Sequence, residues 1–452
     1  MTWRVLTALD HRHEDRIAAA VAADRDFEVV RRCPDVADLL AAAGAGLGDI
    51  ALVSGGLRGL DRDCVAQLAE AAVRVVGVTD AGEGSQERLR QLGISALAPA
   101  DNAVDLLAAL HRLAASSLVA VAATGAPATD VDAEIAALEA GLDPLGPLGP
   151  HGIAGDGALS DEPHEGRILA VWGPAGSPGR TTLAVNLAAE FAARGTSTLL
   201  IDADTYGACV AQLLGLLDES PGVAAAARAS ELGTLDVPTL ARLTPSTATG
   251  FRVLTGLPTS SRWSELRAAS MSHLLDLARR LVDVVVVDCA FCLDDDEELS
   301  YDTRAPRRNG ATLAALEAAD EIVAVAAADP VGLQRLVRAL QDLESVACVT
   351  PRIVVNRLRS TAVGAAPERR VGDALKRFAG VEVAAFIPDD RATLDRCVLA
   401  GRVLAEEAPG AVVRERIRHL AGELVPAQAP GTPVRRRRWL PGSVTMGRWS
   451  TA

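Results

Sequence analysis

The stretch Val171-Trp172-Gly173-Pro174-Ala175-Gly176-Ser177-Pro178-Gly179-Arg180-Thr181-Thr182-Leu183-Ala184-Val185-Asn186 decides how this chain is read. An apolar run, Ile168–Gly173, enters a turn rich in glycine and proline, and a helical pattern starts at Arg180. A buried strand that breaks into such a turn and then opens a helix suits a phosphate anion. Backbone amides can surround the anion, and the positive end of the helix dipole stands behind it. Against the pattern G-x-x-x-x-G-K-[ST], Pro174 replaces the first glycine and Arg180 replaces the lysine. Taken alone, the match is weak, and a structural glycine turn is the simpler reading.

The surroundings decide between the two. Leu199-Leu200-Ile201-Asp202-Ala203-Asp204 ends a second apolar run in two carboxylates, and Asp283-Val284-Val285-Val286-Val287-Asp288 is a valine-rich run ending in a third. Near-continuous apolar runs of this length are the mark of strands buried on both faces of a parallel sheet. Between Arg167 and about Val425 the strand candidates are Ile168–Gly173, Thr198–Asp204, Arg252–Gly256, Asp283–Cys289, Glu321–Ala327, Arg352–Arg357 and Val383–Ile387. Residues 3–115 repeat the alternation on a smaller scale, with runs at Val5–Leu9, Phe27–Val30, Ile50–Ser54, Arg74–Val78 and Ala96–Pro99, each followed by an amphipathic stretch. The expected fold class is α/β, with two doubly wound parallel-sheet domains. The boundaries expected are 1–117, a flexible Ala/Gly/Pro/Asp-rich linker at 118–166 with a short helix near Asp130–Gly141, 167–425, and a basic disordered tail at 426–452.

Phosphate loop, paired carboxylates and Val-rich strand, in this order and spacing, resemble the deviant-Walker P-loop ATPases of the MinD and ParA type. Ile353-Val354-Val355-Asn356-Arg357 and Ile387-Pro388-Asp389-Asp390 extend the likeness to that family's adenine-side strand and loop. With the receiver-like segment in front, the subfamily resembled is CpaE/TadZ. The resemblance implies ATP and Mg²⁺ as ligands. It places the amides of Gly176, Ser177, Gly179, Arg180, Thr181 and Thr182 around the phosphates, with Arg180 in the P-loop lysine's place. It assigns Thr181 to Mg²⁺, Asp288 to Mg²⁺ through water, and Asp202 to the metal site and to support of the switch. Asp204 would orient the attacking water, while Asn356, Pro388 and Asp389 would hold the base. The family's second, signature lysine falls at Ala175 and is missing; the chain's one lysine is Lys376. Arg is bulkier than Lys at such a site, and Pro174 and Pro178 offer no amide. The expectation is therefore nucleotide binding with slow hydrolysis, ATP acting chiefly on self-association into a homodimer. The role implied is positioning of protein machinery at a pole, a pilus or secretion apparatus, or the septum. The alternatives are a nucleotide-independent docking scaffold and a chromosome-partitioning ATPase.

The N-terminal segment resembles receiver domains and departs from them where their chemistry lies. Val53 or Ser54 stands where the phosphate-accepting Asp is needed, and Ala98 precedes Pro99 where a Lys is needed. A pseudo-receiver for docking or dimerisation is expected, with Asp10 and Thr79 as remnants.

Composition limits the rest. The 452 residues carry 45 basic and 59 acidic side chains, a net charge of −14, and the tail's five Arg leave −19 on the remainder. DNA binding by bulk electrostatics is not expected of such a chain. No apolar run reaches the length of a membrane span, and Asp10 interrupts any signal-peptide core. Seven scattered cysteines suggest reduced thiols and a cytoplasmic protein, and Cys289-Ala290-Phe291-Cys292 reads as coincidence rather than a metal or redox pair. Leu293–Asn309 reads as a polar loop. Arg435–Leu440, cut off by Pro441-Gly442, would supply only weak, salt-sensitive contact with the inner face of an anionic membrane.

Overall fold

The computed structural model describes residues 2–80, 83–122, 165–176, 178–216, 222–295 and 306–425. The expected linker helix near Asp130–Gly141, the tail with Arg435–Leu440, part of Leu293–Asn309, and Ser177 lie outside them.

Two parallel sheets organise the chain. The first contains β1 (Trp3–Ala8), β2 (Phe27–Arg32), β3 (Ile50–Ser54), β4 (Arg74–Thr79) and β5 (Ala96–Pro99), in the order β2-β1-β3-β4-β5. The second contains β6 (Arg167–Trp172), β7 (Thr198–Ala203), β8 (Arg252–Leu254), β9 (Val284–Cys289), β10 (Glu321–Ala327), β11 (Arg352–Leu358) and β12 (Val383–Pro388), in the order β12-β11-β10-β6-β9-β7-β8. All five expected strands of the first half and all seven of the second are present, within a residue or two at their ends. The apolar runs have their physical cause in burial. Every residue of β3, β7 and β9 is buried, because helices cover both faces of each sheet.

Sheet topology places the site. β6 lies between β9 and β10, and β9 lies between β6 and β7. Register then sets Val171 opposite Asp288 and Asp288 opposite Asp202. The carboxylates, far apart in sequence, therefore meet at the carboxyl ends of adjacent strands, where ligands of open α/β sheets bind.

The helix Arg180–Ala193 is buried from Leu183 to Phe191. Its two buried polar residues fasten the end of the chain to it. Asn186 accepts from the Leu404 amide at 2.9 Å, and Glu190 pairs with Arg414 at 2.7 Å.

The two sheets are not independent of each other. Arg267, just before the helix Ala268–Leu281, reaches Asp63 at 3.3 Å and Asp61 at 3.7 Å on the N-terminal side, and Glu231 at 3.6 Å on its own. Arg88 donates to the Leu232 carbonyl at 3.3 Å. His273 sits at this junction against Ser230, 2.9 Å away. Burial, with the Arg62 guanidinium as a lesser cause, pushes its imidazole down to about 4.

No helix among the described residues is long and apolar enough to cross a membrane.

Candidate functional site: a glycine-rich loop over three carboxylates

The loop leaves β6 at Trp172, which is wholly buried, and ends at Gly179, the N-cap of the helix Arg180–Ala193. Gly179 has φ +98 and Gly176 φ +113, in the left-handed region that side chains resist. A Cβ on Gly179 would collide with the Asn356 amide nitrogen, and one on Gly176 with the Arg335 guanidinium. Gly179 needs glycine for conformation and for space; at Gly176 conformation decides, because the Arg335 guanidinium is the exposed end of a flexible side chain.

Arg180 turns inward. Its Nε donates to the Cys289 carbonyl at 3.1 Å and its Nη1 to the Gly173 and Pro174 carbonyls at 3.1 and 3.3 Å. Its Nη2 reaches Asp204 Oδ2 at 3.3 Å. A guanidinium has five N–H donors, so four are taken by the walls of the site and one remains. An ammonium, with three donors, could not make this set.

The three carboxylates are differently occupied. Asp204 accepts the amides of Tyr206 and Gly207 at 2.8 and 3.0 Å in addition to Arg180. Asp202 accepts the amides of Asp204 and Val210 at 3.2 and 3.0 Å. Burial and then the neighbouring Asp204 charge nevertheless raise its carboxyl to about 7, the two amides opposing. Asp288 is fully buried, and neither of its oxygens has a hydrogen-bond partner among the described residues. Desolvation first, and the Asp202 charge second, push it well above the carboxylate range; Thr181 stands close enough to soften this without a bond of normal geometry. An orphaned buried carboxylate beside a threonine hydroxyl is a donor set of the hard, oxygen type that suits Mg²⁺.

The expected base-side residues lie at the ends of β11 and β12. Asn356 donates its amide to the Pro178 carbonyl at 2.7 Å and accepts from the Arg357 amide at 2.8 Å, tying β11 to the phosphate loop. Pro388 is in register with Leu358, and Asp389 is held by Arg359 at 3.2 Å and Arg391 at 3.4 Å. Of the residues singled out in the sequence, Arg180, Thr181, Asp202, Asp204 and Asp288 are brought together at the strand ends, while Gly179 lies against Asn356 and Gly176 against Arg335. Thr181 and Thr182 occupy the first turn of the loop helix, partly exposed. Sequence reasoning missed Arg335, whose Nη1 donates to the Ala175 carbonyl at 3.1 Å from the helix Pro330–Glu344, because nothing local marks a residue that is 160 positions away.

Cys289 and Cys292 make no pair. All seven cysteines are free, Cys289 is buried with its thiol raised by burial and by Asp288, and its carbonyl serves Arg180. The one cluster of metal-ligating side chains found among the described residues, Asp24, Asp26 and His111, lies in the N-terminal half.

A seven-stranded parallel sheet with a glycine-rich loop, an inward cation and a buried strand-end aspartate is the fold of the P-loop nucleotide-binding class. The family model for the CobQ/CobB/MinD/ParA nucleotide-binding domain matches residues 169–396, half of the chain, and the chain belongs to that family. Among solved structures it is similar to the cell division ATPase MinD of Pyrococcus furiosus, at 19% identity over 57% of this chain and 98% of that one, with a TM-score of 0.46. It is also similar to a ParA family ATPase from Chlorobium tepidum TLS, at 19% identity over 56% and 98%, TM-score 0.47. A third is the cobyrinic acid a,c-diamide synthase of Mycobacterium smegmatis, solved with ADP and magnesium, at 18% identity over 57% and 94%, TM-score 0.40. No curated protein matches the chain.

Proposed function

We propose that this chain is an ATP-binding spatial regulator of the CpaE/TadZ kind, built from a pseudo-receiver domain (1–117), a linker and an ATPase-like domain (167–425). Its switch is nucleotide-linked self-association into a homodimer, and its cargo is protein machinery such as a pilus or secretion apparatus or the division site. The observation that carries the nucleotide reading is the unpartnered, fully buried Asp288 next to Thr181, under a loop held open by two left-handed glycines. Burying a carboxylate without a partner is costly, and a fold retains such a group where a cation completes it. Thr181 and Asp288 would hold Mg²⁺, with Asp202 behind them, and the ion would supply neutralisation of phosphate charge.

The chain's own residues account for the rest. The loop amides and the helix start receive phosphate oxygens. Asp204, fixed by two backbone amides and Arg180, is positioned to orient a water. Arg180 is spent mostly on carbonyls, and Ala175 offers no charge across a dimer interface, so turnover is slow and ATP works through its preference for the associated state.

The N-terminal domain supports a docking role. Ser54 stands at the end of β3, and its hydroxyl accepts the Asp10 amide at 2.8 Å, leaving no carboxylate to phosphorylate at that place. The net charge of −14 disfavours the chromosome-binding alternative.

The deciding experiment titrates the full-length protein with Mg·ATP and Mg·ADP while its mass is followed by light scattering. Saturable ATP binding accompanied by a shift from one to two copies supports the reading. Absence of binding at millimolar nucleotide overturns it and leaves the scaffold.

A further inference from the structure

We propose that Arg335 supplies, from within the same chain, the cation that receives the terminal phosphate of a bound nucleoside triphosphate at the Ala175–Gly176 end of the loop. This rests on the nucleotide reading given above. Charge balance favours a further protein cation beside Mg²⁺. The site combines three buried aspartates with Arg180, and Arg180 has one N–H left after its bonds to Gly173, Pro174, Cys289 and Asp204. A polyphosphate brought to that cluster adds several negative charges, which Mg²⁺ and the remaining Arg180 N–H offset in part.

Arg335 has the required placement. Its Nη1 lies 3.1 Å from the Ala175 carbonyl and against the α-carbon of Gly176, so the guanidinium rests on the loop itself. The side chain is exposed, and no carboxylate among the described residues pairs with it. An exposed guanidinium with four further donors, held by one neutral carbonyl, is prepared for an anion at little ordering cost. Its helix is anchored at the base, where Asp329 accepts the Val331 and Gly332 amides at 3.0 and 2.9 Å.

The position along the loop selects which phosphate it meets. Asn356, on the base side, is tied to Pro178 beside Gly179, and the helix start follows at Arg180. Arg335 touches the loop three to four residues earlier, at the end that leaves β6 rather than the end that opens the helix. The group that arrives there is the distal phosphate, present in ATP and absent from ADP.

The test measures Mg·ATP and Mg·ADP affinity by calorimetry on the full-length wild type, Arg335→Gln and Arg335→Lys. Gln can keep the contact to the Ala175 carbonyl without the charge, whereas Lys keeps the charge. Expected is a loss of about tenfold or more in ATP affinity for Arg335→Gln, with ADP affinity within about twofold of wild type, and most of the ATP affinity retained by Arg335→Lys. Equal losses for both nucleotides, or no loss for either, would overturn the proposal and make Arg335 a strut of the loop. A wild type that binds neither nucleotide removes the nucleotide reading itself, and this assignment with it.

Discussion

Arg180 and Asp204 form an ion pair of 3.3 Å whose side chains are only 10% and 8% exposed. The pair joins the start of the loop helix to the end of β7, and the same guanidinium reaches the ends of β6 and β9 through backbone carbonyls. One side chain therefore fastens three strands at the place where the ligand must enter.

Removing that fastening should cost stability as well as binding. Arg180→Ala leaves Asp204 and three carbonyls without their donor, and a loss of about 3 kcal/mol in urea-monitored unfolding is expected. Arg180→Lys should fall between the two, because an ammonium recovers the charge but fewer of the bonds. Unchanged unfolding of Arg180→Ala would show that the contacts carry no energy.

Asp288→Asn should stabilise the ligand-free protein, raising its melting temperature by about 2–4 °C for each kcal/mol of relieved desolvation, and should abolish the Mg²⁺ dependence of nucleotide binding. Asp202 adds a pH dependence of fixed sign. Its folded-state value of about 7 lies above that of an unfolded aspartate, so the folded chain holds an extra proton between roughly pH 4 and 7. Its contribution is complete below that window and is lost as pH rises through it. Denaturation of Asp202→Asn beside wild type at pH 5 and pH 8 checks this: the variant should gain on wild type at the higher pH.

Gly179→Ala tests the loop's geometry. The added methyl meets both a left-handed backbone and the Asn356 amide. Loss of nucleotide binding is expected, with partial recovery in the double change with Asn356→Ala. Asn356→Ala alone should weaken binding by releasing the loop from β11. Normal affinity in Gly179→Ala would show that the loop has room the structure does not display.

The junction between the two halves should open in acid. His273 is held near 4, below its unfolded value near 6.5, so the folded state takes up fewer protons between those values and loses stability as pH falls through them. Arg62 faces the imidazole from the N-terminal side, Ser230 bonds it, and Asp276 lies on its own helix near Arg62. Arg267→Ala removes the contacts to Asp61, Asp63 and Glu231 and should shift opening to higher pH. Hydrogen exchange of the helix Arg62–Glu70 between pH 7 and 5 reports it; protection that is independent of both pH and Arg267 would refute the coupling.

Acetyl phosphate should leave residues 1–115 unlabelled, because Ser54 is buried and its hydroxyl is engaged with the Asp10 amide. An acid-labile adduct there, seen by intact mass, would place an acceptor carboxylate that the β3 end does not contain.

Twelve strands could be read from the amino acids because each carries a short apolar run: β3, β7 and β9 are buried throughout, while β2, at a sheet edge, is mostly exposed and keeps only Phe27, Val29 and Val30 as its apolar part. The phosphate loop was legible for a similar local reason: glycines and a strand-to-helix transition leave a contiguous trace. The pairing of Asp202 with Asp288 follows only from strand order, since β9 inserts between β6 and β7 although it comes after β8 in the chain. The acceptors of Arg180 were not legible either. Three of them are backbone carbonyls, and every residue type has one. Arg335 on Ala175, Asn356 on Pro178 and Arg267 on Asp63 join positions more than 150 residues apart, and no local periodicity carries that information. Local pattern set the elements and the chemistry offered at their ends, because burial and backbone conformation act on neighbours in sequence. Which cation meets which loop was settled by tertiary packing, because only the stacking of helices on the sheet brings those side chains within hydrogen-bond distance.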